Sequence, residues 1–503
     1  MSITAFTLIV LAIYLVGLKL ISIIAYKKSS TTTEDYFLSS REVGTFALIA
    51  TMASSMFSSG TVIASPSEFY GDGTGYYWIF SFALCAVFMM PLVLKFWKLG
   101  KVKSFITPGD LLGDFYKSHK VKVLTGLIGL IALVPYAAAQ MVAIGKTFET
   151  LSNGVISYEM GVTIISVSIG LYLYFGGSRA VIITDVVQGV TFASLLIVAG
   201  VLCVYWSDGW SNLVGTMLEK APQNVQFKPS IGYYEHIPMC ASFFLLPYIW
   251  QRMYMAKSVK TIAKNTMLLP IIFILLFSTT WVIGNSAFSI LPEVLKDSDN
   301  VIGAIFNSKA PYFGAFILVA AFAAGMSTVD SQLLSAGSLF TKDIIPKRFI
   351  KNDYKVARII TMALMVGIFL WSLTLKSTSV LALIILGVSL TPILIPATYG
   401  AFFWKKASTE GAFWSMALGL GVFILHKWTS LLSFLDIGGS ITWSFLTACS
   451  TYVVVSLLTN HKALDAKRKE YGSILYPQKT LSFKDIDLPK IEREEYLEEV
   501  SNR

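Results

Sequence analysis

The residues best suited to chemistry lie in one short run, Ala324-Gly325-Met326-Ser327-Thr328, deep in an apolar stretch. An apolar surrounding does not solvate hydroxyls, so the hydroxyls of Ser327 and Thr328 need partners. A small hard cation prefers hydroxyl and carbonyl oxygens. The run therefore predicts half of a cation site. The alternative is that each hydroxyl only bonds a carbonyl one turn back in its own helix.

The composition identifies the elements that must position these oxygens. Of the 503 residues 55% are hydrophobic and only 14% are charged, against roughly 25% charged in soluble domains. Mean hydropathy is +0.66. We therefore expect a polytopic membrane protein in a lipid bilayer. The net charge of +10 lies in short loops between apolar runs, which favours membrane orientation over nucleic-acid binding. We expect the four cysteines to be free, buried thiols.

Thirteen apolar runs each approach the roughly 20 residues that a membrane-crossing helix needs. They cover about 4–26, 44–65, 74–95, 123–149, 157–177, 180–206, 237–255, 265–291, 311–341, 356–376, 379–404, 411–427 and 440–459.

Basic residues predict the orientation of these runs, because they concentrate in cytoplasmic loops. They follow runs 1, 3, 7, 9 and 11, as Lys27, Lys28, Lys98, Lys101, Lys103, Lys117, Lys120, Lys122, Lys257, Lys260, Lys264, Lys342, Lys347, Arg348, Lys351, Lys355, Lys405 and Lys406. All these loops lie on one side. We expect the N-terminus outside and the C-terminus in the cytoplasm, followed by a solvated, partly helical tail.

Two runs contain helix breakers. The run 51–65 has seven Ser or Thr residues and Gly60, and is followed by Pro66, while run 7 carries Pro238 and Pro247. Runs 2–6 and 7–11 form two five-helix units of opposite orientation, with a broken helix in the same place of each. Such a pair points to a transporter binding site near the membrane midplane. The predicted organisation is 1–43 for the first span and its loop, 44–206 and 237–404 for the two inverted repeats, 411–460 for spans 12 and 13, and 461–503 for the tail.

Four motifs in register carry a resemblance to a known family. They are Asp35-Tyr-Phe-Leu-Ser-Ser-Arg41, Gly176-Gly-Ser-Arg-Ala-Val181 continuing to Thr184, Asp185 and Gln188, Pro247-Tyr-Ile-Trp-Gln-Arg252, and Ala324 to Leu333. Together they resemble the sodium/solute symporter family, over about residues 4–460. The resemblance implies an all-α membrane protein of about 13 transmembrane helices with the leucine-transporter-type 5+5 inverted repeat.

The resemblance also implies a Na⁺ site between spans 2 and 9. Span 9 supplies the carbonyl of Ala324 and the hydroxyls of Ser327 and Thr328, which share one helix face. Span 2 supplies two carbonyls from its unwound turn, at Ser54 and Phe57. A one-residue slip in the alignment would move these two ligands to Ala53 and Met56.

A second ion path is implied at Asp185, because family members use the matching aspartate along the inner path or in an extra sodium site. Ser58 and Thr61 are candidates to join it. An ionisable group in a membrane helix is expensive and usually functional. The alternative is a structural pair of Asp185 with Arg179 or Arg252. For Asp330, a bond to backbone amides or to a lysine such as Lys146 is at least as good an explanation as solute contact.

Family carriers place their solute pocket at positions that fall on Tyr136, Gln140, Met239 and Phe243. Tyr136 and Gln140 share a helix face and could instead only bridge helices. Tyr136 matches a pocket tyrosine of the proline carriers. Those carriers have a tryptophan and a tyrosine at positions 239 and 243, and an aspartate where this chain has Met56. These departures argue against proline.

The predicted function is therefore sodium-coupled uptake of a small organic solute across the cell membrane by alternating access, with the protein acting as a monomer. We expect no enzyme, because no nucleophile–base set, phosphate-binding glycine loop or metal-spaced histidine cluster appears. Alternatives are a symporter-like sensor, a proton-coupled carrier or a channel. The solute stays open among pantothenate-like acids, monocarboxylates and sugars.

Overall fold

The computed structural model describes residues 1–26, 32–152, 154–226, 231–295, 298, 301–346, 353–429 and 439–476. In these ranges the chain is almost entirely helical, and the only β-type pairing is an isolated bridge between Val43 and Ala256. The first ten α-helices are α1 (Ile3–Tyr26), α2 (Thr33–Leu38), α3 (Thr45–Met56), α4 (Ser65–Gly71), α5 (Leu84–Lys103), α6 (Pro108–Phe115), α7 (His119–Leu151), α8 (Tyr158–Trp206), α9 (Trp210–Lys220) and α10 (Ile231–Ser242). The others are α11 (Pro247–Met255), α12 (Val259–Ile290), α13 (Val301–Lys309), α14 (Pro311–Leu339), α15 (Asp353–Leu373), α16 (Val380–Val388), α17 (Ile395–Phe403), α18 (Thr409–Trp428), α19 (Gly439–Leu458) and α20 (Asp465–Leu475).

Each of the thirteen apolar runs coincides with helical structure. By length and composition, nine helices of the described residues can cross a membrane, or ten if one bent pair counts as a single span. The all-helical membrane fold is confirmed, and the count of thirteen spans stays a prediction. Predicted runs 5 and 6 lie in α8, which is broken at Gly177. Gly177 has φ +54°, and a Cβ there would overlap Tyr36 of α2, so the break requires glycine.

Span 2 is broken, as its sequence indicates. Helix α3 ends at Met56, Phe57 is extended, and a π-helical turn at Gly60–Ala64 leads into α4. The two halves are bent by 60°. Because the chain leaves the helix at Phe57, the last carbonyls of α3 lose their amide partners within the helix.

Span 7 is broken near its second proline. Helix α10 ends at Ser242, a 3₁₀ turn covers Phe243–Leu245, and Pro247 starts α11. Proline fits at a helix start, since its missing N–H would have no partner there. A further interruption, which the sequence analysis did not predict, separates α16 from α17 by a 3₁₀ turn at Thr391–Leu394.

The centre of the molecule is α14, which packs against α1, α7 and α8. From Ile317 to Leu339 every one of its residues is buried, and the hydroxyls of Ser327, Thr328, Ser331 and Ser338 form hydrogen bonds inside the protein. Helices α1, α12 and α19 expose many apolar side chains, as a lipid-facing layer requires. The four cysteines are free thiols, and three are buried, whereas Cys449 is half-buried.

Helix α20 closes the end of the described chain against α5 and α6. Lys467 donates to both carboxylate oxygens of Asp114 at 2.9 Å, Tyr471 donates to Asp114 at 3.0 Å, and Lys103 pairs with Glu470. Burial and the Asp114 carboxylate raise the pKa of the Tyr471 phenol well above its usual range, so Tyr471 remains a donor. The remaining tail, 477–503, lies outside the described residues, as do Lys27, Lys28, Lys347, Arg348 and Lys351.

Candidate ion and solute site

Five oxygens from α14 and the break in span 2 meet in the buried centre. The Ser327 hydroxyl lies 2.8 Å from the Ser54 carbonyl oxygen and 3.0 Å from that of Ala324. The Thr328 hydroxyl lies 3.0 Å from the Ala324 carbonyl oxygen and 3.4 Å from that of Phe57. All five residues are buried. The structure thus brings together the three oxygens of α14 and the two carbonyls that the sequence analysis placed around one ion.

The one-residue slip fits this geometry less well. The carbonyl of Ala53 accepts the Phe57 amide at 2.9 Å as the last bond of α3. The side chain of Met56 lines a cavity beside the break. Ser54 and Phe57 are therefore the residues whose carbonyl oxygens face Ser327 and Thr328.

Asp185 lies in a second buried polar cluster, one turn toward the other end of α3. Arg252 donates to Asp185 Oδ2 at 2.9 Å, and the two side chains are 3% and 0% exposed. Thr51 also donates to that oxygen, while Ser55 lies 3.5 Å from it. Arg252 further donates to the carbonyls of Thr51 at 3.2 Å and Tyr248 at 3.1 Å. Of the two structural pairs left open, the structure shows the one with Arg252.

The predicted companions of Asp185 lie elsewhere. Ser58 and Thr61 line the cavity on the other side of the break, because they follow the bend and belong to the second half of span 2. Thr51 and Ser55 contact Asp185 instead. Ser331 joins the cluster through its other members, because its hydroxyl accepts from Arg252 and shares a hydrogen bond of 3.2 Å with Ser55. The signal for Thr51 and Ser55 was their i, i+4 spacing, which places both on the face of α3 toward α8.

The remaining charged residues of this region pair locally. Asp330 accepts from the Ser331 hydroxyl at 3.1 Å, and the ammonium of Lys146 donates to the Thr378 carbonyl at 3.1 Å. Arg179 pairs with Asp35 at 2.6 Å, which ties α8 beside its break to α2.

A cavity of about 40 Å³ lies between the two broken helices, room for about three water molecules. Its lining comes from the span 2 break, α7, the end of α10, α12, α16 and the 3₁₀ segment Gly73–Ala83. Three of the four predicted pocket residues line it, namely Tyr136, Met239 and Phe243. The pocket is tight, since a Cβ on Gly60 would overlap Ile384, so a solute enters only if side chains rearrange.

The fourth predicted pocket residue, Gln140, does not line this cavity. Its amide oxygen accepts from the Ser59 backbone at 3.0 Å and from the Ser59 hydroxyl at 2.7 Å. Its amide nitrogen donates to the Tyr136 carbonyl at 3.1 Å. The amide oxygen therefore holds the break of span 2 against α7, while the amide nitrogen bonds within α7, and this arrangement is the bridging role that the sequence left open.

A broken-helix fold with an oxygen-lined centre and an adjoining pocket defines a membrane transporter. Comparison with known proteins adds the family. The model of the "Sodium:solute symporter family" matches residues 36–419, and the chain belongs to this family. Its function is accordingly sodium-coupled solute uptake, with Na⁺ as the coupling ion, and family and fold are those of transporters.

Similar proteins agree with this assignment. The chain is 28% identical to a sodium/pantothenate symporter of Escherichia coli (strain K12), over 81% of this chain and 88% of the relative. It is 24% identical to a sodium/proline symporter of Staphylococcus aureus (strain NCTC 8325 / PS 47), over 90% and 93%. Among solved structures, a substrate-bound, outward-open Na⁺-coupled sialic acid symporter matches with a TM-score of 0.74 at 19% identity, over 90% and 98%. The nucleobase-cation-symport-1 family transporter Mhp1 matches with a TM-score of 0.55 at 13% identity, over 88% and 100%.

Proposed function

We propose that this chain binds the coupling Na⁺ between the break of span 2 and α14, and its solute in the cavity between the two broken helices. The observation that carries the proposal is the convergence of five neutral oxygens, from Ser54, Phe57, Ala324, Ser327 and Thr328. Neutral hydroxyl and carbonyl oxygens suit a small monovalent cation. The same break supplies two ion ligands and, through Met56, Ser58 and Thr61, part of the cavity wall.

This shared break supports a coupling mechanism. A solute that fixes the cavity side of the break also fixes the carbonyls on its ion side, so each ligand raises the affinity for the other. One positive charge crossing about 100 mV releases roughly 2.3 kcal/mol. That is enough to accumulate a neutral solute roughly 50-fold.

The proposed orientation has the N-terminus outside and the C-terminus in the cytoplasm, in the cell membrane. The distribution of basic loops supports it. The solute is a small organic molecule. Proline is disfavoured, because Met56, Met239 and Phe243 stand where the proline carriers have an aspartate, a tryptophan and a tyrosine.

The ion site is tested with Na⁺ alone as the probe. In the purified protein, Na⁺ should raise the thermal midpoint, whereas K⁺ or choline should not, because a ligand that binds the folded state stabilises it. Thr328→Ala should raise the half-maximal Na⁺ concentration tenfold or more, since a lost bond to a charged partner costs about 1.5–3 kcal/mol. Thr328→Ser keeps the hydroxyl and should have a small effect.

Ser335→Ala is the matched control. It lies about two turns further along α14, is equally buried, and its hydroxyl has no hydrogen-bond partner among the described residues. It should leave the Na⁺ titration unchanged. If Thr328→Ala has the same half-maximal Na⁺ concentration as the wild type, or if Thr328→Ala and Ser335→Ala raise that concentration equally, the proposed ion site on α14 is wrong.

A further inference from the structure

The cavity wall carries no charge. Among the described residues, every side chain that lines the cavity is apolar, ends in a hydroxyl or, at Trp78, carries an uncharged indole N–H. A carboxylate or an ammonium buried here would lose its water without gaining a partner of opposite sign, which is strongly unfavourable.

Backbone amides could replace a cationic side chain, because helix starts bind anions. At the break of span 2, however, side chains already accept from these amides. The amide of Ser58 donates to the Thr61 hydroxyl at 3.2 Å, and that of Gly60 to the Ser58 hydroxyl at 3.2 Å. The amide of Ser59 donates to Gln140 at 3.0 Å. The site where a carboxylate would be expected to bind is therefore occupied by the chain's own oxygens.

The buried guanidinium of Arg252 also has its partners already. Arg252 is held by Asp185 and by two backbone carbonyls, and it does not line the cavity. The five residues of the proposed Na⁺ site do not line it either, so a solute in the cavity cannot complete the coordination of that ion.

What the cavity does offer is a polar edge and an aromatic wall. Ser58, Thr61 and Ser65 follow one another at helical spacing and face the cavity together, and Ser65 shares a hydrogen bond of 3.0 Å with Tyr76. The apolar part of the wall is aromatic. Phe82 and Phe243 pack edge to face with ring centroids 4.8 Å apart, and Phe273 and Phe277 of α12 lie beside them in the lining.

From these observations we infer that the solute is electrically neutral, with hydroxyl or amide groups along one edge and an apolar face. The hydroxyl edge of span 2 bonds the polar groups, and the aromatic wall packs against the apolar face. This inference rests on the proposed function, and it excludes free carboxylates from the solutes left open by the sequence.

The test uses yeast extract that is separated by ion exchange at neutral pH into two fractions. The neutral fraction passes both anion and cation exchangers, and the anionic fraction is retained by the anion exchanger. The readout is Na⁺-dependent protection of Met239→Cys from a thiol reagent, in a background whose native cysteines are alanine. The neutral fraction should slow labelling and the anionic fraction should not. The pair pantothenol and pantothenate, which differ in an alcohol and a carboxylate, provides a defined comparison, with pantothenol protecting at a concentration at least about tenfold lower.

Two variants on the hydroxyl edge sharpen the test. Thr61→Ala frees the Ser58 amide and should improve protection by pantothenate about two- to fivefold, the size of one helix-terminus interaction. Ser65→Ala removes a hydroxyl that bonds Tyr76 and no break amide. It should weaken protection by the neutral fraction without helping pantothenate.

The outcomes separate the inference from the proposed function. Protection by the anionic fraction or by pantothenate as strong as that by the neutral samples overturns the neutral-solute inference and keeps the pocket. Protection by no sample counts against the pocket itself, and so against both. Protection by the neutral samples alone supports both.

Discussion

At the scale of residues, the pair of Asp185 and Arg252 is the most heavily bonded charged group of the described centre. It joins α8 to α11, and through Thr51 and Ser331 it also reaches α3 and α14. Four helices thus meet at one guanidinium, one turn from the proposed ion site. A buried pair of this kind is costly to break from one side, because the remaining charge has no partner.

We expect Arg252→Gln to destabilise the protein by about 3–5 kcal/mol. The double variant Asp185→Asn/Arg252→Gln should recover part of this loss, since no charge is left buried. Thermal midpoints of the wild type, both single variants and the double variant, measured without Na⁺, give the coupling energy. Additive losses would show that the pair contributes no more than its separate contacts.

At the scale of elements, Gln140 of α7 is what fixes the break between α3 and α4. Its amide oxygen accepts two hydrogen bonds from Ser59, and its amide nitrogen donates to the Tyr136 carbonyl of its own helix, which fixes the side chain in this position. The break carries the proposed ion ligands on one side and cavity residues on the other. A change at Gln140 should therefore disturb both sites, whereas a change in the cavity wall should disturb one.

Gln140→Ala should raise the Na⁺ concentration for half-maximal stabilisation and also weaken solute binding, each by about tenfold, because it leaves buried groups of the break unpaired. Met239→Ala, which changes only the cavity wall, should weaken solute binding and leave the Na⁺ titration without solute unchanged. An effect of Gln140→Ala on solute alone would place Gln140 in the pocket after all.

Sequence reasoning located the elements well because a membrane imposes one rule on all of them: a crossing segment is long, apolar and helical. Ser327 and Thr328 also stand out in the sequence, since hydroxyls in such a segment are conspicuous, and their role as Na⁺ ligands stays a prediction. It could not place Ser58 and Thr61, because a 60° bend between two halves of one span decides which way each residue faces. Nor could it assign Gln140, whose role depends on α7 lying against that bend.

At the scale of the whole molecule, the proposed orientation assigns every loop to one side of the membrane. Val155 lies in the loop between α7 and α8 and is 66% exposed, and it should be extracellular. Lys406, exposed between α17 and α18, should be cytoplasmic. With Cys449 replaced by alanine, a membrane-impermeant thiol reagent added to intact cells should label Val155→Cys and spare Lys406→Cys until the membrane is opened. The reverse pattern would invert the topology.

Helix α20 packs against α5 and α6, and the proposed orientation places this contact on the cytoplasmic side. Tyr471→Ala removes a buried ring and a donor to Asp114, and should destabilise the protein by about 3–5 kcal/mol. Lys469→Ala on the exposed face of the same helix is the control and should have little effect. Thermal midpoints in detergent compare the two, and equal values would show that α20 adds nothing to stability.

The contact between α20 and α6 can form only late in biosynthesis, because its two partners lie far apart in the sequence. Lys467 follows Asp114 by 353 residues, and a ribosome adds roughly 5–20 residues per second. The interval between the synthesis of Asp114 and that of Lys467 is therefore about 20–70 seconds. During that time α6 lacks the helix that later covers it. A chain that stalls inside its final spans never gains this cover, so we expect α6 to be more accessible to proteases in unfinished copies than in the finished protein.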